Sequence, residues 1–407
     1  LSVAERLYYD AQELMDFGAV VTDIRLESRV DGKNRWQVAL DRTAFYPESG
    51  GQPWDLGTIE AVARSGARLE VPVLAVVEDA GEVWHVVEKP LTAGTEVTGR
   101  VDAGRRLDHM QQHTGQHLLS AVFLRELGAA TVSFHLGADS STIDLAVGAL
   151  DWENAVGVEE AANRLIAENR GVSVEVVERG LAETMLERGE LRKLPEREGT
   201  IRIVAIEGVE WNACGGTHVA STGRIGGLTV RRIERMKQAV RVEFCCGLRA
   251  VRAARQDFER IGEIGRLLSS GPGELAGKIS VMLDDARSTA KQSRTLLEEI
   301  AGFEARTLAG RLVEATSRDA EYAKLLAAKV VALDGRRVAI IRTSNGERGT
   351  IVLAAGGDAG VNCGAVLKDS LAVLGARGGG SAGMAQGGVA AGDMDRLLEE
   401  IRVRISI

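Results

Sequence analysis

The sequence predicts an α+β protein in four stretches, and three patterns carry that expectation. Short β-branched runs separated by Gly, Asn, Asp or Pro fill residues 1–104, the signature of a small β-barrel. Runs of strand and helix character alternate over 105–249, which implies an α+β layer. A helical stretch at 250–327 then leads into a separate small α/β domain at 328–407.

In order along the chain, residues 20–30, 35–46, 69–79, 82–89 and 96–102 read as the barrel strands. A helix is then expected with Asp108 as N-cap, Gln111 completing a capping box three residues on, and Gly128 as the stop. Leu118, Leu119 and Val122 supply its apolar face. TVSFHL (131–136) and STIDLAV (141–147) read as strands and 152–170 as a helix, followed by strands at 172–178, 200–211 and 239–244. Over 250–327, the break SSGPGE (269–274) precedes Leu275, Ile279, Met282, Ala286, Thr289, Ser293, Leu296, Ile300 and Phe303. These residues follow steps of four and three, a coiled-coil or helical-hairpin seam with a polar middle, expected as a spacer for the C-terminal domain or a homodimer contact, with the two together favoured. The remainder returns to strands and ends in a Gly-rich loop and a helix at 394–405.

At 407 residues the chain exceeds one compact core. Its formal charge of −8 argues against a basic nucleic-acid wrapper, though not against local basic patches. Four Cys, with Cys245 and Cys246 adjacent, make a poor disulfide framework and point to a reducing, cytoplasmic setting. No apolar run reaches membrane-spanning length, and the opening residues do not read as a signal peptide, so no membrane partner is expected. Leu1 in place of Met suggests a trimmed or processed terminus.

The chemistry concentrates in His113-Thr-Gly-Gln-His117 and Cys214-Gly-Gly-Thr-His218, which use three of the six His in the chain. Four residues advance about 400° around a helix, so His113 and His117 share a face one turn apart. Cys214 and His218 follow a strand, on a turn whose Gly215 and Gly216 let the backbone fold around an ion. Three imidazoles and a thiolate form a tetrahedral set that selects Zn²⁺ over oxygen-seeking cations. His113 and His117 alone would also suit a buried structural pair; the second element favours metal. A metalloprotease is disfavoured, because Thr114 stands where H-E-x-x-H carries its general base.

HMQQHTGQHLL with CGGTH downstream resembles the editing domain of alanyl-tRNA synthetases and of their free-standing AlaX relatives. FYPESGGQPWDLGTI (45–59) resembles the glycine-rich segment before that domain, and LGARGGGSAGMAQGG (374–388) resembles the C-terminal domain called DHHA1. Three motifs in this order cover nearly the whole chain. They suggest a long-form AlaX protein, with 105–249 as the zinc-containing editing domain and 328–407 as DHHA1-like. The chain opens directly on the barrel, so no aminoacylation domain is expected. Phe134 stands where the synthetase often carries Gln, a departure inside the amino-acid pocket.

The resemblance implies hydrolysis of the ester joining serine, with glycine as a second candidate, to tRNA(Ala). A pocket that hydrogen-bonds the extra hydroxyl can reject alanine by roughly 10⁴–10⁵. Thr131 and Ser133 are the leading hydroxyl readers, Gln116 and Gln52 weaker ones, and His135 a candidate proton shuttle or ribose contact. No general base is named; Glu48 on the glycine-rich loop has nothing in its spacing to support it. For tRNA binding, Arg231, Arg232, Arg235 and Lys237 lie in a basic run, and Arg377 with Gly378, Gly379 and Gly380 offers a cation and open backbone N–H groups. Two rival readings stand beside the deacylase: a tRNA-binding module whose zinc is structural, and an editing-plus-C-terminal fragment of an alanyl-tRNA synthetase.

Overall fold

The structure is a computed structural model that describes residues 4–30, 33–63, 66–196 and 199–405, so Leu1 lies outside the described residues. It is α+β and divides into two compact units, 1–261 and 262–407.

The first unit opens with a closed six-stranded barrel. Its strands are β1 (Asp16–Val30), β2 (Lys33–Leu40), β3 (Gly57–Val62), β4 (Arg68–Asp79), β5 (Glu82–Val87) and β6 (Glu96–Val101). They pair in the cyclic order β1-β2-β5-β4-β3-β6, each neighbour antiparallel. Closure removes every unpaired edge. Alternate residues point inward, and Phe17, Val38, Leu40, Phe45, Ile59, Val71, Val83 and Val97 fill the interior. Each such side chain contributes about 1.5–3 kcal/mol of burial. Gly99 is dictated by that packing: a Cβ there would lie 2.4 Å from the Phe17 ring. Strand β3 went unread in the sequence because its first residues, Gly57 to Ile59, are the end of the glycine-rich segment.

Helix α1 (Ala103–Leu127) leaves the barrel directly. Its N-cap is Asp102, whose carboxylate accepts from Arg105 N at 3.0 Å, so the start expected at Asp108 lies six residues too late. Asp108 sits inside the helix and pairs with Arg249. The stop at Gly128 is as expected, with left-handed φ of 63°. Around α1 fold β7 (Thr131–Leu136), β8 (Ser141–Leu145), α2 (Trp152–Ala167), β9 (Val172–Val177), α3 (Arg179–Glu187), β10 (Ile201–Ile206), β11 (Glu210–Ala213), β12 (Leu228–Arg235) and β13 (Val240–Cys246). They make a four-stranded sheet, β12-β13-β8-β7, and a three-stranded sheet, β9-β10-β11. Leu118, Leu119, Val122 and Phe123 are fully buried among Ile143, Val158 and Phe244. Gly115 lets the helix approach β13, since a Cβ would fall 2.3 Å from Cys246 Sγ. Sequence reading missed α3 and β12, the latter because its alternation is masked by arginines.

Helix α4 (Gly247–Leu268) precedes the Gly-Pro break, and α5 (Leu275–Thr307) follows it. In the second unit, α5, α6 (Ala320–Leu333), α7 (Cys363–Val373) and α8 (Met394–Ile405) accompany β14 (Leu312–Thr316), β15 (Val338–Ser344), β16 (Arg348–Ala355), β17 (Gly378–Gly380) and β18 (Met384–Ala390). The five strands run in the order β14-β15-β16-β18-β17. The helical run expected to 327 stops at Thr307, because residues 312–316 pair in parallel with β15. Ala301 and Ala305 of α5 are buried with α6, whereas Ile279, Met282, Leu296, Ile300 and Phe303 of the seam are exposed. The four cysteines are free, and no helix among the described residues is long and apolar enough to cross a membrane.

Candidate metal centre and pocket

α1 brings His113 and His117 to the same place as the turn after β11 brings Cys214 and His218. The ligand atoms of these four side chains all lie within 4.8 Å of one another. Cys214 Sγ is 3.5 Å from His113 Nε2 and 3.3 Å from His218 Nε2. Bonds of about 2.0–2.3 Å in a tetrahedron separate ligands by roughly 3.3–3.8 Å, so the set suits a zinc-sized ion. Gly216 is required here: a Cβ would meet His113 Cε1 at 2.2 Å.

Each imidazole has a polar neighbour on its far side, hydrogen-bonded in the case of His113 and His218. Gln52 Oε1 accepts from His113 Nδ1 at 2.8 Å, Thr114 Oγ1 lies 3.2 Å from His218 Nδ1, and Glu210 Oε1 lies 3.2 Å from His117 Nδ1. Such outer partners fix the ring and leave the other nitrogen for a metal. Thr114 therefore has a positioning role, and its Oγ1 also accepts from Val219 N. Buried Arg202 holds the turn itself, donating to the carbonyls of Cys214 at 2.8 Å and Gly216 at 2.9 Å. A buried ion pair, Arg106 with Asp55, clamps the barrel's glycine-rich loop onto α1.

Two of the four groups, Cys214 and His218, are held in the forms that a metal binds. Burial by itself would raise the Cys214 thiol, but the His113 and His218 imidazoles outweigh it and hold the thiol well below its ordinary value. Burial, reinforced by His113, pushes His218 down to about 3, leaving it neutral. For His117, burial works downward, but contacts with Cys214 and Glu210 raise it to about 10.

His113, His117 and Cys214 of the cluster line a pocket of about 470 Å³, and His218 lies behind them, outside its lining. Thr131, Val132, Ser133 and Phe134 of β7 make one wall, Arg192 to Pro195 another, and Tyr46, Ser49 and Gly50 of the glycine-rich loop close a third side. Gln116 and Ser120 line it from α1. Of the candidates read from sequence, Thr131, Ser133 and Gln116 reach this pocket. Gln52 is buried behind His113 and contributes through that ring. His135 is exposed, and neither it nor the exposed Glu48 is among the lining residues. Ser120, Asn212, Arg202 and Glu210 had no sequence signal, because only folding brings them to the motifs.

Arg231 lies on the edge strand β12 and is tied to Asp257 at 2.5 Å, while Arg232 lies 3.8 Å from Glu234. Arg235 and Lys237 are exposed. In the second unit, Arg377, Gly378 and Gly379 line a separate pocket of about 710 Å³ with Arg318, Arg348 and the start of α6. Gly380 pairs with Ala385 one residue beyond them.

Barrel, histidine-bearing helix and Cys-x-x-x-His turn define the class of an editing-domain protein related to class II synthetases. A family model described as tRNA synthetases class II (A) matches residues 2–105, the region that folds here as the barrel, and one described as threonyl and alanyl tRNA synthetase second additional domain matches 201–243. Alanyl-tRNA editing protein AlaX-L of Pyrococcus horikoshii is 30% identical over 100% of both chains. The chain belongs to the alanyl-tRNA editing protein family. Alanyl-tRNA editing protein Aarsd1-A of Xenopus laevis is 30% identical over 65% of this chain and 62% of its own. Alanine–tRNA ligase of Korarchaeum cryptofilum is 28% identical over 98% of this chain but only 45% of the ligase, so the chain spans less than half of that relative. The C-Ala domain of Aquifex aeolicus alanyl-tRNA synthetase is 26% identical over 22% of this chain and 87% of that domain, with a TM-score of 0.20, too slight an overlap to define a fold.

Proposed function

We propose that this chain is a trans-acting, zinc-dependent deacylase that hydrolyses the ester of mischarged Ser-tRNA(Ala) in the cytoplasm. The observation that carries the reading is a four-ligand cluster, three of whose residues line a pocket of about 470 Å³, in a chain of the editing family. Zinc held by His113, His117, Cys214 and His218 would supply positive charge to the ester carbonyl and to an attacking water.

The chain's own residues supply recognition. Thr131 Oγ1 donates to Ser120 Oγ at 2.7 Å, and Gln116 Nε2 donates to the same oxygen at 2.9 Å. Ser120 thus keeps its own proton free to donate, and Gln116 Oε1 is a buried acceptor with no partner. A seryl hydroxyl, donor and acceptor at once, matches both; an alanyl methyl leaves both unsatisfied. The smaller glycyl group has no hydroxyl to offer, so glycyl-tRNA(Ala) would be a weaker substrate. Phe134, whose ring centroid lies 5.9 Å from that of His113, supplies an apolar wall.

The tRNA body would be held by Arg231, Arg232, Arg235 and Lys237 in the first unit and by Arg377 with Gly378, Gly379 and Gly380 in the second, read as DHHA1-like. The exposed seam of α5 would pair two copies of the chain.

The test is deacylation of Ser-tRNA(Ala) and Ala-tRNA(Ala) by the parent and by Cys214→Ala, with metal content measured on both proteins. Loss of zinc together with loss of seryl-ester hydrolysis supports the reading. Undiminished hydrolysis by a zinc-free Cys214→Ala removes the metal from it. A zinc-loaded parent inert on both esters leaves the tRNA-binding module as the better account.

A further inference from the structure

Glu210 is a buried carboxylate between an arginine and a candidate ligand imidazole from distant parts of the chain. Its side chain is 5% exposed, with Oε1 3.2 Å from His117 Nδ1 and Oε2 2.6 Å from Arg192 Nη2. The two contacts differ in kind. Arg192 donates a well-formed hydrogen bond, whereas His117 Nδ1 and Glu210 Oε1 are close without being aligned for one. The position of the carboxylate beside His117 is thus fixed from the Arg192 side.

Arg192 belongs to the segment between α3 and β10 that forms one wall of the pocket, and Glu210 opens β11, four residues before Cys214. One carboxylate therefore links the wall to an imidazole of the metal-ligand set. A buried carboxylate that loses its arginine must find another donor or water, and His117 Nδ1 is the polar neighbour 3.2 Å away. Either movement changes how that ring is presented.

We propose that Glu210 is a positioning residue for His117 and that Arg192, by fixing Glu210, couples the pocket wall to the firmness with which the metal ligand is held. This rests on the function proposed above only in taking the wall as substrate-facing; the coupling itself concerns metal retention. Outer carboxylates of this kind change metal affinity by about 10–100-fold when removed.

The experiment uses the full chain loaded with zinc and follows its release to a chromophoric chelator. Glu210→Gln is expected to release zinc about 10–100-fold faster. Arg192→Ala is expected to release faster by a smaller factor, restored by Arg192→Lys, and to add nothing in the Glu210→Gln background, as a coupled pair requires. The cobalt-substituted proteins give a second readout, with the visible absorption bands shifted in Glu210→Gln and in Arg192→Ala. Release from Glu210→Gln within twofold of the parent overturns the proposal. So does an Arg192→Ala effect that persists undiminished without the Glu210 charge. Should Glu210→Gln not fold, exposed Arg192 still decides: unchanged release from Arg192→Ala overturns the coupling. A chain that shows this behaviour but deacylates nothing would remove the proposed function and leave the coupling intact.

Discussion

Gln52 Oε1 accepts from His113 Nδ1 at 2.8 Å across 61 positions of sequence, and the same oxygen accepts from Thr217 N at 3.0 Å. The other end of the amide donates to Thr217 Oγ1 at 2.9 Å. One barrel-loop side chain thereby holds a helix-borne ligand and the Cys-x-x-x-His turn in register. Gln52→Ala leaves a buried amide N–H and an imidazole N–H unpaired. We expect metal affinity to fall about 10–100-fold, measured by chelator competition, with about 1–3 kcal/mol of stability lost.

Asp55→Ala tests the clamp two turns earlier on α1. Arg106 and Asp55 are both fully buried, and the guanidinium also donates to the carbonyls of Gln12 and Ala44. Removing one partner strands a charge, at a cost of about 3–5 kcal/mol. Urea unfolding should register that loss, whereas a change under about 1 kcal/mol would mean that water reaches the pair.

Acid sensitivity should come in part from His85. Burial pushes its imidazole down to about 4, although Nδ1 donates to Val38 O at 2.9 Å. Val38 O can only accept, so Nε2 is the acceptor for the Thr43 hydroxyl at 2.8 Å. With the folded value below the unfolded one, about 6.5, the unfolded chain binds more protons between them. Stability contributed by neutral His85 is full above about pH 6.5 and is lost as pH falls toward 4. Denaturation midpoints at pH 7 and 5 should differ in that direction, and the His85 ring should stay neutral by NMR at pH 5.

Discrimination should depend on the Gln116–Ser120–Thr131 network. Ser120→Ala removes both the free donor and the shared acceptor. Hydrolysis of Ser-tRNA(Ala) should drop about 10–100-fold in kcat/KM, equivalent to one lost hydrogen bond of about 1–3 kcal/mol, while any residual activity on Ala-tRNA(Ala) is unchanged. Equal losses on both esters would assign these groups to shape alone.

Charge dependence gives the last check. Arg235 and Lys237 are exposed on the first unit. If each meets a phosphate, Arg235→Ala and Lys237→Ala should each reduce the log–log salt slope of tRNA binding by about 1. Arg231, already tied to Asp257, should give less.

What the residues determine by themselves is local or motif-borne. The His113/His117 spacing follows from helix pitch, the Gly128 stop from left-handed φ, and five of the six barrel strands from β-branched runs between turn residues. The start of α1 was misplaced because two acidic residues, Asp102 and Asp108, both offer capping chemistry, and only the exit from β6 selects the first. Likewise, residues 312–316 became a strand because β15 lies alongside them, a partner that local propensity cannot see.

Tertiary structure alone decided which polar groups serve the ligands. Gln52, Thr114, Glu210, Arg202 and Ser120 have no common spacing, and they meet because burial in a dry interior obliges each donor and acceptor to find a partner. Candidate metal ligands reveal themselves by residue type and period; the groups beside them are chosen by whichever segments the packed core brings within about 3 Å.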